Sequence, residues 1–266
     1  MSICGNGPLY FPLDIKVNVI HFMNMVHALI QPLSRRERKR SARIEGIVDA
    51  AMRVATEEGL AQVTTHRLAK ELDLAVGALY RYFPSKDAII EAMQKRALED
   101  YGDILRDAMK SVRGWVVTQE VPAPELVEIL AIGLRYQRLV KSHPQHFHLN
   151  NQVMGNPDNV LPGQEGDRVV AVMMRLFEDL SSPVARAQEA GLINADVDPL
   201  DRVILFWSSL RAILGVSKLE AHDAVIRGES LFVEMMLTML RGFGADSEAL
   251  SSALESARRW TTSEER

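Results

Sequence analysis

Thr64-Thr65-His66-Arg67-Leu68-Ala69-Lys70-Glu71-Leu72-Asp73-Leu74-Ala75-Val76-Gly77-Ala78-Leu79-Tyr80-Arg81-Tyr82-Phe83-Pro84-Ser85-Lys86 is the stretch on which the fold of this chain turns. Its apolar residues recur at helical spacing. Thr64 stands where an N-cap would open a helix over 65–72. Three residues later the pattern predicts a second short helix over about 76–83, ended by Pro84. Two short helices joined by so tight a turn have the size of a helix-turn-helix. Leu68, Ala69, Leu72, Leu74, Leu79 and Phe83 are spaced to pack inward. Thr65, His66, Val76, Gly77, Tyr80, Arg81, Tyr82 and Lys86 are left facing outward. Small residues at the start of the second helix allow close approach to base edges, and phenol hydroxyls and an ammonium suit phosphates. The same spacing also fits a purely structural helical hairpin.

Upstream, Ile44, Ile47, Val48, Ala51, Val54 and Ala55 predict a helix over 35–58, with Ser34 and Glu37 at capping-box spacing and Gly59 as its stop. It opens on the basic run Arg35, Arg36, Arg38, Lys39, Arg40, Arg43. Arg40 and Arg43 are candidate DNA contacts that would steepen the salt dependence of binding; a solvated helix start is the alternative. The overall charge of −4 conceals a division. Residues 35–86 hold 11 Lys and Arg against 7 Asp and Glu, a net of +4, whereas residues 87–266 hold 19 against 27, a net of −8. A basic segment joined to an acidic remainder fits a nucleic-acid-binding head on a separate body.

Residues 40–90 resemble the TetR/AcrR family of one-component transcriptional regulators. The resemblance lies in Glu58-Gly59-Leu60, Val63-Thr64-Thr65, Leu68 to Leu72, and above all Gly77-Ala78-Leu79-Tyr80-Arg81-Tyr82-Phe83-Pro84-Ser85-Lys86. It implies phosphate contacts at Thr65, Tyr80, Tyr82 and Lys86, and base contacts at His66, Val76, Gly77 and Arg81. Two positions depart from the family pattern. Asp73 replaces the usual turn Gly, but Asp tolerates a left-handed backbone. Ala75 replaces a capping Ser or Thr, which should weaken the helix start by roughly 1 kcal/mol.

Beyond residue 86, Pro and Gly divide helical runs predicted near 86–112, 124–142, 145–153, 166–181, 183–190, 199–216 and 229–242. Period-2 alternation is scarce, so the fold class is all-α: an N-terminal three-helix helix-turn-helix domain at 35–85 and a C-terminal helical effector-binding and dimerisation domain at 86–245. Residues 246–266 read as a tail that forms, at most, one further surface helix. Residues 1–34 show no clear pattern and read as an extension, disordered or partly helical, with Met23 and Met25 as alternative starts. The run 229–242 is apolar nearly all round and must be covered on every side. The family resemblance, echoed locally by Gly191-Leu192-Ile193 and Asp196-Val197-Asp198-Pro199, implies that the helices at 199–216 and 229–242 pair with their copies in a homodimer reading a palindromic operator.

An effector pocket is expected between the middle helices, lined by Tyr136, Phe147, Met173, Met174, Phe177 and Trp207, since Met and aromatic side chains suit an adaptable apolar cavity. These could equally be plain core. Arg135 is either an anchor for an anionic ligand or an outer-face residue. His143, His146 and His148 stand at loop spacing with no supporting Cys, so no metal and no cofactor is expected. Cys4 is the single cysteine, which rules out an internal disulfide and fits a reducing cytoplasm. No membrane partner is expected, because the most apolar candidate, Val17–Ile30, is short and interrupted by Asn18, His21, Asn24 and His27.

An enzyme is disfavoured. There is no nucleophile elbow, phosphate-cradling Gly-rich loop or HExxH motif. The expected function is sequence-specific transcriptional regulation, most simply by a repressor that leaves DNA on binding a small apolar or amphipathic effector. An effector-free regulator of the same fold and an activator are the alternatives.

Overall fold

The computed structural model describes residues 34–154, 164–216 and 228–264. The sequence readings on residues 1–33 lie outside these. The chain divides into two units, residues 1–47 and 48–266.

In the first unit lies the opening of helix α1 (Arg35–Glu57). The capping box forms: the Glu37 N–H donates to Ser34 Oγ at 3.2 Å, and the Ser34 N–H donates to Glu37 Oε2 at 2.8 Å. These bonds hold the Glu37 carboxyl below its ordinary value. Arg40 and Arg43 are exposed on this helix.

The second unit takes up the end of α1 and runs through a 3-10 turn (Leu60–Gln62) into α2 (Thr65–Glu71), α3 (Val76–Leu79) and the long α4 (Lys86–Gln119). There follow α5 (Pro124–Ser142), α6 (Pro144–Met154), α7 (Gln164–Glu189), α8 (Pro199–Val216), α9 (Gly228–Gly242) and α10 (Ser247–Ser263). All described secondary structure is helical. Leu126, Val127, Leu130 and Ala131 make α5 the middle of the body, enclosed by α4, α7 and α10, with α8 against α7 and α9.

After Ser85, three helices differ from their predicted form. α4 continues past Val112 to Gln119, because Val112 and Val116 repeat the buried i, i+4 spacing beyond the polar run that hid it. Pro183 does not divide α7. An interior proline costs about 3 kcal/mol, but Leu180, Val184 and Ala187 lie on one face, Val184 and Ala187 are buried, and Ser181 Oγ donates to the Glu178 carbonyl at 2.7 Å in the same turn. Tertiary burial outweighs the lost backbone bond.

The tail is the third case. α10 is more than a surface helix: Leu250, Ala253, Ala257 and Trp260 are buried in the body core. Asp246 caps it, accepting from the N–H groups of Glu248 and Ala249 at 2.9 Å. Trp260 Nε1 donates to Ser111 Oγ at 3.3 Å, and Arg138 Nη1 donates to the Thr261 carbonyl at 2.9 Å. Both tie α10 to the rest of the body.

Candidate nucleic-acid interface and ligand cavity

Thr64 caps α2, its Oγ1 accepting from the Arg67 N–H at 3.1 Å. Asp73 takes the left-handed backbone the turn demands, with φ 51°. The Leu74 N–H then reaches back to the Ala69 carbonyl at 2.8 Å, closing α2 in a Schellman-type turn. Ala75 stands at the N-cap of α3 with no side-chain hydrogen bond. α3 is shorter than predicted and ends at Leu79. Tyr80 to Tyr82 form a turn held by Tyr82 and Phe83 N–H groups on the Leu79 carbonyl, at 2.9 and 3.1 Å. An uncapped start and Gly77 leave little to propagate a longer helix. Leu68, Ala69, Leu79 and Phe83 are buried, with Leu72 and Leu74 half-buried.

The outward set sits on this frame. His66, Gly77, Tyr80, Arg81 and Lys86 are exposed, and Thr65, Val76 and Tyr82 half-buried. Lys86 opens α4 directly after Ser85, whose Oγ accepts from the Ala88 N–H at 3.1 Å. Arg67 faces elsewhere. It donates to Glu58 through Nε and Nη2, the latter at 2.5 Å, and to Glu71 at 2.8 Å, and holds the Glu58 carboxyl below its ordinary value. One cation of the basic stretch therefore clamps the end of α1 to α2.

In the body, α4, α5, α6, α7, α8 and the end of α9 surround a cavity of about 100 Å³. Tyr136, Phe147, Met173, Phe177 and Trp207 line it. Met174 does not; it packs half-buried against the core. Met173, Leu176, Phe177 and Leu180 share one face of α7, and successive helical residues point about 100° apart, which turns Met174 off that face. Phe177 meets Trp207 edge-on at 5.1 Å, and Tyr101 meets Tyr136 at 6.3 Å. The Trp207 side chain hydrogen-bonds Tyr136, yet burial still raises the Tyr136 phenol above its usual range. Where α5 passes α9, a Cβ at Gly133 would press on Met236 Sδ and force that side chain to shift.

Arg135 is half-buried outside the cavity lining. The arginines that border the cavity are Arg202 and Arg211, both on α8 and both missed by the sequence reading. Arg202 is 2% exposed, lies 4.4 Å over the Phe243 ring, and donates through Nη2 to the Asn194 carbonyl at 2.8 Å and to Asp196 at 2.6 Å. Arg211 lies 4.9 Å over the Trp207 ring, and burial lowers its guanidinium pKa. The signal that could have found them is an Arg pair nine residues apart on an otherwise apolar run. The His143 and His146 rings stack at 5.3 Å; the His148 side chain lies outside the described residues.

Residues 47–93 match the family model described as bacterial regulatory proteins, tetR family. A nucleoid occlusion factor SlmA from Haemophilus ducreyi is 54% identical over 41 residues, 15% of this chain and 20% of that protein, so the chain spans about a fifth of the relative's length. Among solved structures, the TetR family transcriptional regulator PfmR from Thermus thermophilus is 20% identical, covering 73% of this chain and 97% of that one, with a TM-score of 0.50. RolR in complex with resorcinol is 16% identical, covering 84% and 96%, with a TM-score of 0.56. The structural likenesses extend the match from the head to the fold of the body.

Proposed function

We propose that this chain, whose head belongs to the tetR family of bacterial regulatory proteins, is a cytoplasmic, sequence-specific transcriptional regulator that binds a palindromic operator as a homodimer and releases it when a small apolar or amphipathic effector fills the body cavity. The observation that carries the reading is the exposed or half-buried set from Val76 to Lys86, mounted on a head in which Arg67 is held by the carboxylates of Glu58 and Glu71. Tyr80, Tyr82, Thr65 and Lys86 take phosphates. Val76 and Gly77 allow close approach to thymine methyls, and Arg81 and His66 read base edges. Arg40 and Arg43 add sequence-independent grip.

Homodimerisation is supported by the apolar residues left on the last helices of the body. Phe232, Met236 and Leu240 bury one face of α9, while Leu231 remains 41% exposed and Leu205 on α8 53% exposed. A second copy covers such faces. Effector control is supported by α4, which lines the cavity with Leu98, Tyr101 and Leu105 and begins at Lys86, a candidate phosphate contact. Leu98 lies roughly 18 Å up the helix from Lys86. A ligand that favours one placement of α4 biases the head through a rigid rod, provided it binds the released state better than the DNA-bound one. The resorcinol bound to the RolR neighbour supports a ligand of single-ring size, on the scale of the benzene held by apolar cavities of about 150 Å³.

The test is to recover genomic fragments bound by the purified protein and measure affinity by fluorescence anisotropy across salt. Tyr82→Ala should weaken binding to all sequences alike. Arg81→Ala should relax preference at one base pair, by about 1–3 kcal/mol. Unchanged preference in Arg81→Ala overturns the base-reading assignment. Equal DNA affinity with and without every ligand found to bind overturns effector control.

A further inference from the structure

We propose that the cavity is built for a compact aromatic acid: a single-ring apolar body whose carboxylate seats on Arg202. The inference deepens the effector reading above and rests on it. Its starting point is an imbalance of charge. Arg202 and Arg211 both border the cavity, and among its described lining residues there is no carboxylate. The ion-pair partner of Arg202, Asp196, is a largely exposed residue outside that lining.

The donors of Arg202 are also divided. Nη2 is satisfied by the Asn194 carbonyl and Asp196. Nε and Nη1 are buried without a hydrogen-bond partner among the described residues. A guanidinium that is 98% enclosed normally has its donors met, because an unmet buried donor costs the full desolvation of that group. A loop-holding role explains Nη2. It leaves Nε and Nη1 unexplained; these point from opposite edges of the guanidinium, so a carboxylate in the cavity would meet one of them while its charge is matched.

The rest of the wall selects the other end of the ligand. Phe177, Trp207, Tyr101 and Tyr136 present ring edges and faces. The Phe243 ring lies against the Arg202 guanidinium at 4.4 Å and fixes its plane. A space of about 100 Å³, smaller than the apolar cavities of about 150 Å³ that take benzene, limits the occupant to one ring with its polar group at the wall, and the wall must give to seat it.

The experiment uses the full chain and three acid–amide pairs: benzoate with benzamide, salicylate with salicylamide, and phenylacetate with phenylacetamide. Affinities are read by calorimetry and DNA release by anisotropy. At least one acid should bind tenfold or more tightly than its amide. That preference should fall to near unity in Arg202→Met and fall clearly in Arg202→Lys, which keeps a charge beside Asp196 if the Met variant does not fold. Amides binding as well as acids, or no acid binding at all, overturns the anion site. A preference that survives both Arg202 variants overturns its assignment to Arg202. Amide binding alone leaves the cavity a ligand site for neutral molecules. Acid binding without DNA release leaves the anion site standing and sinks the release mechanism instead.

Discussion

The head, residues 48–85, and the body, residues 86–264, solve opposite problems with the same kind of helix. The head is small, and its α2 and α3 are two turns or fewer; its order comes from caps and clamps at the level of single residues, such as Thr64 on Arg67, Asp73 in its left-handed turn, and Arg67 between Glu58 and Glu71. Its candidate chemistry faces outward. The body holds long helices together by burial, and its polar groups of interest face inward, toward a cavity. The difference teaches where each kind of function is written. An outward reading surface needs only local order, so neighbouring residues specify it. An inward site is assembled from six helices and is specified by packing between residues far apart in sequence.

Substitutions can break or sharpen that contrast. Trp260→Ala should be the most severe, because it empties a nearly fully enclosed indole site between α10 and the body and leaves Ser111 without its donor. A loss of about 3–5 kcal/mol is expected in chemical denaturation. If the melting curve barely moves, α10 is a dispensable tail and the body's inward design ends at residue 245. Gly133→Ala should cost about 1–3 kcal/mol, since its methyl would collide with Met236 at the cavity wall. The same variant should weaken ligand binding while sparing DNA affinity; a reversed pattern would dissolve the division between head and body.

In the head, Ala75→Ser should stabilise by about 1 kcal/mol or less by supplying the missing cap to α3, and should tighten DNA binding. A thermal melt and an anisotropy titration read the two effects separately. The smallest effect expected is a pH dependence from the body. Burial, with His143 alongside, holds the His146 imidazole below its ordinary value of 6.5. A group so depressed contributes stability at pH above 6.5, and that contribution is lost as pH falls through the lowered folded value. His146→Phe should flatten this limb of the stability–pH curve.

The helix-turn-helix was legible because its signals are local: a Thr cap, an Asp able to turn, a Pro stop and a Ser cap each act within four residues. The length of α3 was not, because Tyr80 to Phe83 have helical composition and are turned by the Leu79 carbonyl instead. In the body, five of the six expected pocket residues border the cavity, since aromatic and Met content follows burial. Arg202 and Arg211 were invisible for the converse reason. Sequence reading assigns arginine to the surface, whereas Asp196, the Asn194 carbonyl and the Phe243 ring hold Arg202 inside and the Trp207 ring lies against the half-buried Arg211.

Pro183 has a consequence for how the body could yield. It stands inside α7, and both it and Val184 border the cavity. A proline carries no N–H, so the helical ladder lacks a rung at that level by covalent chemistry. Bending α7 there breaks no hydrogen bond, whereas bending α5 or α8 beside the same space would. The cavity thus has one compliant wall and several stiff ones. Its capacity is adjustable along a single direction, so a bulkier occupant would be read mechanically as a change in the angle between the two halves of α7.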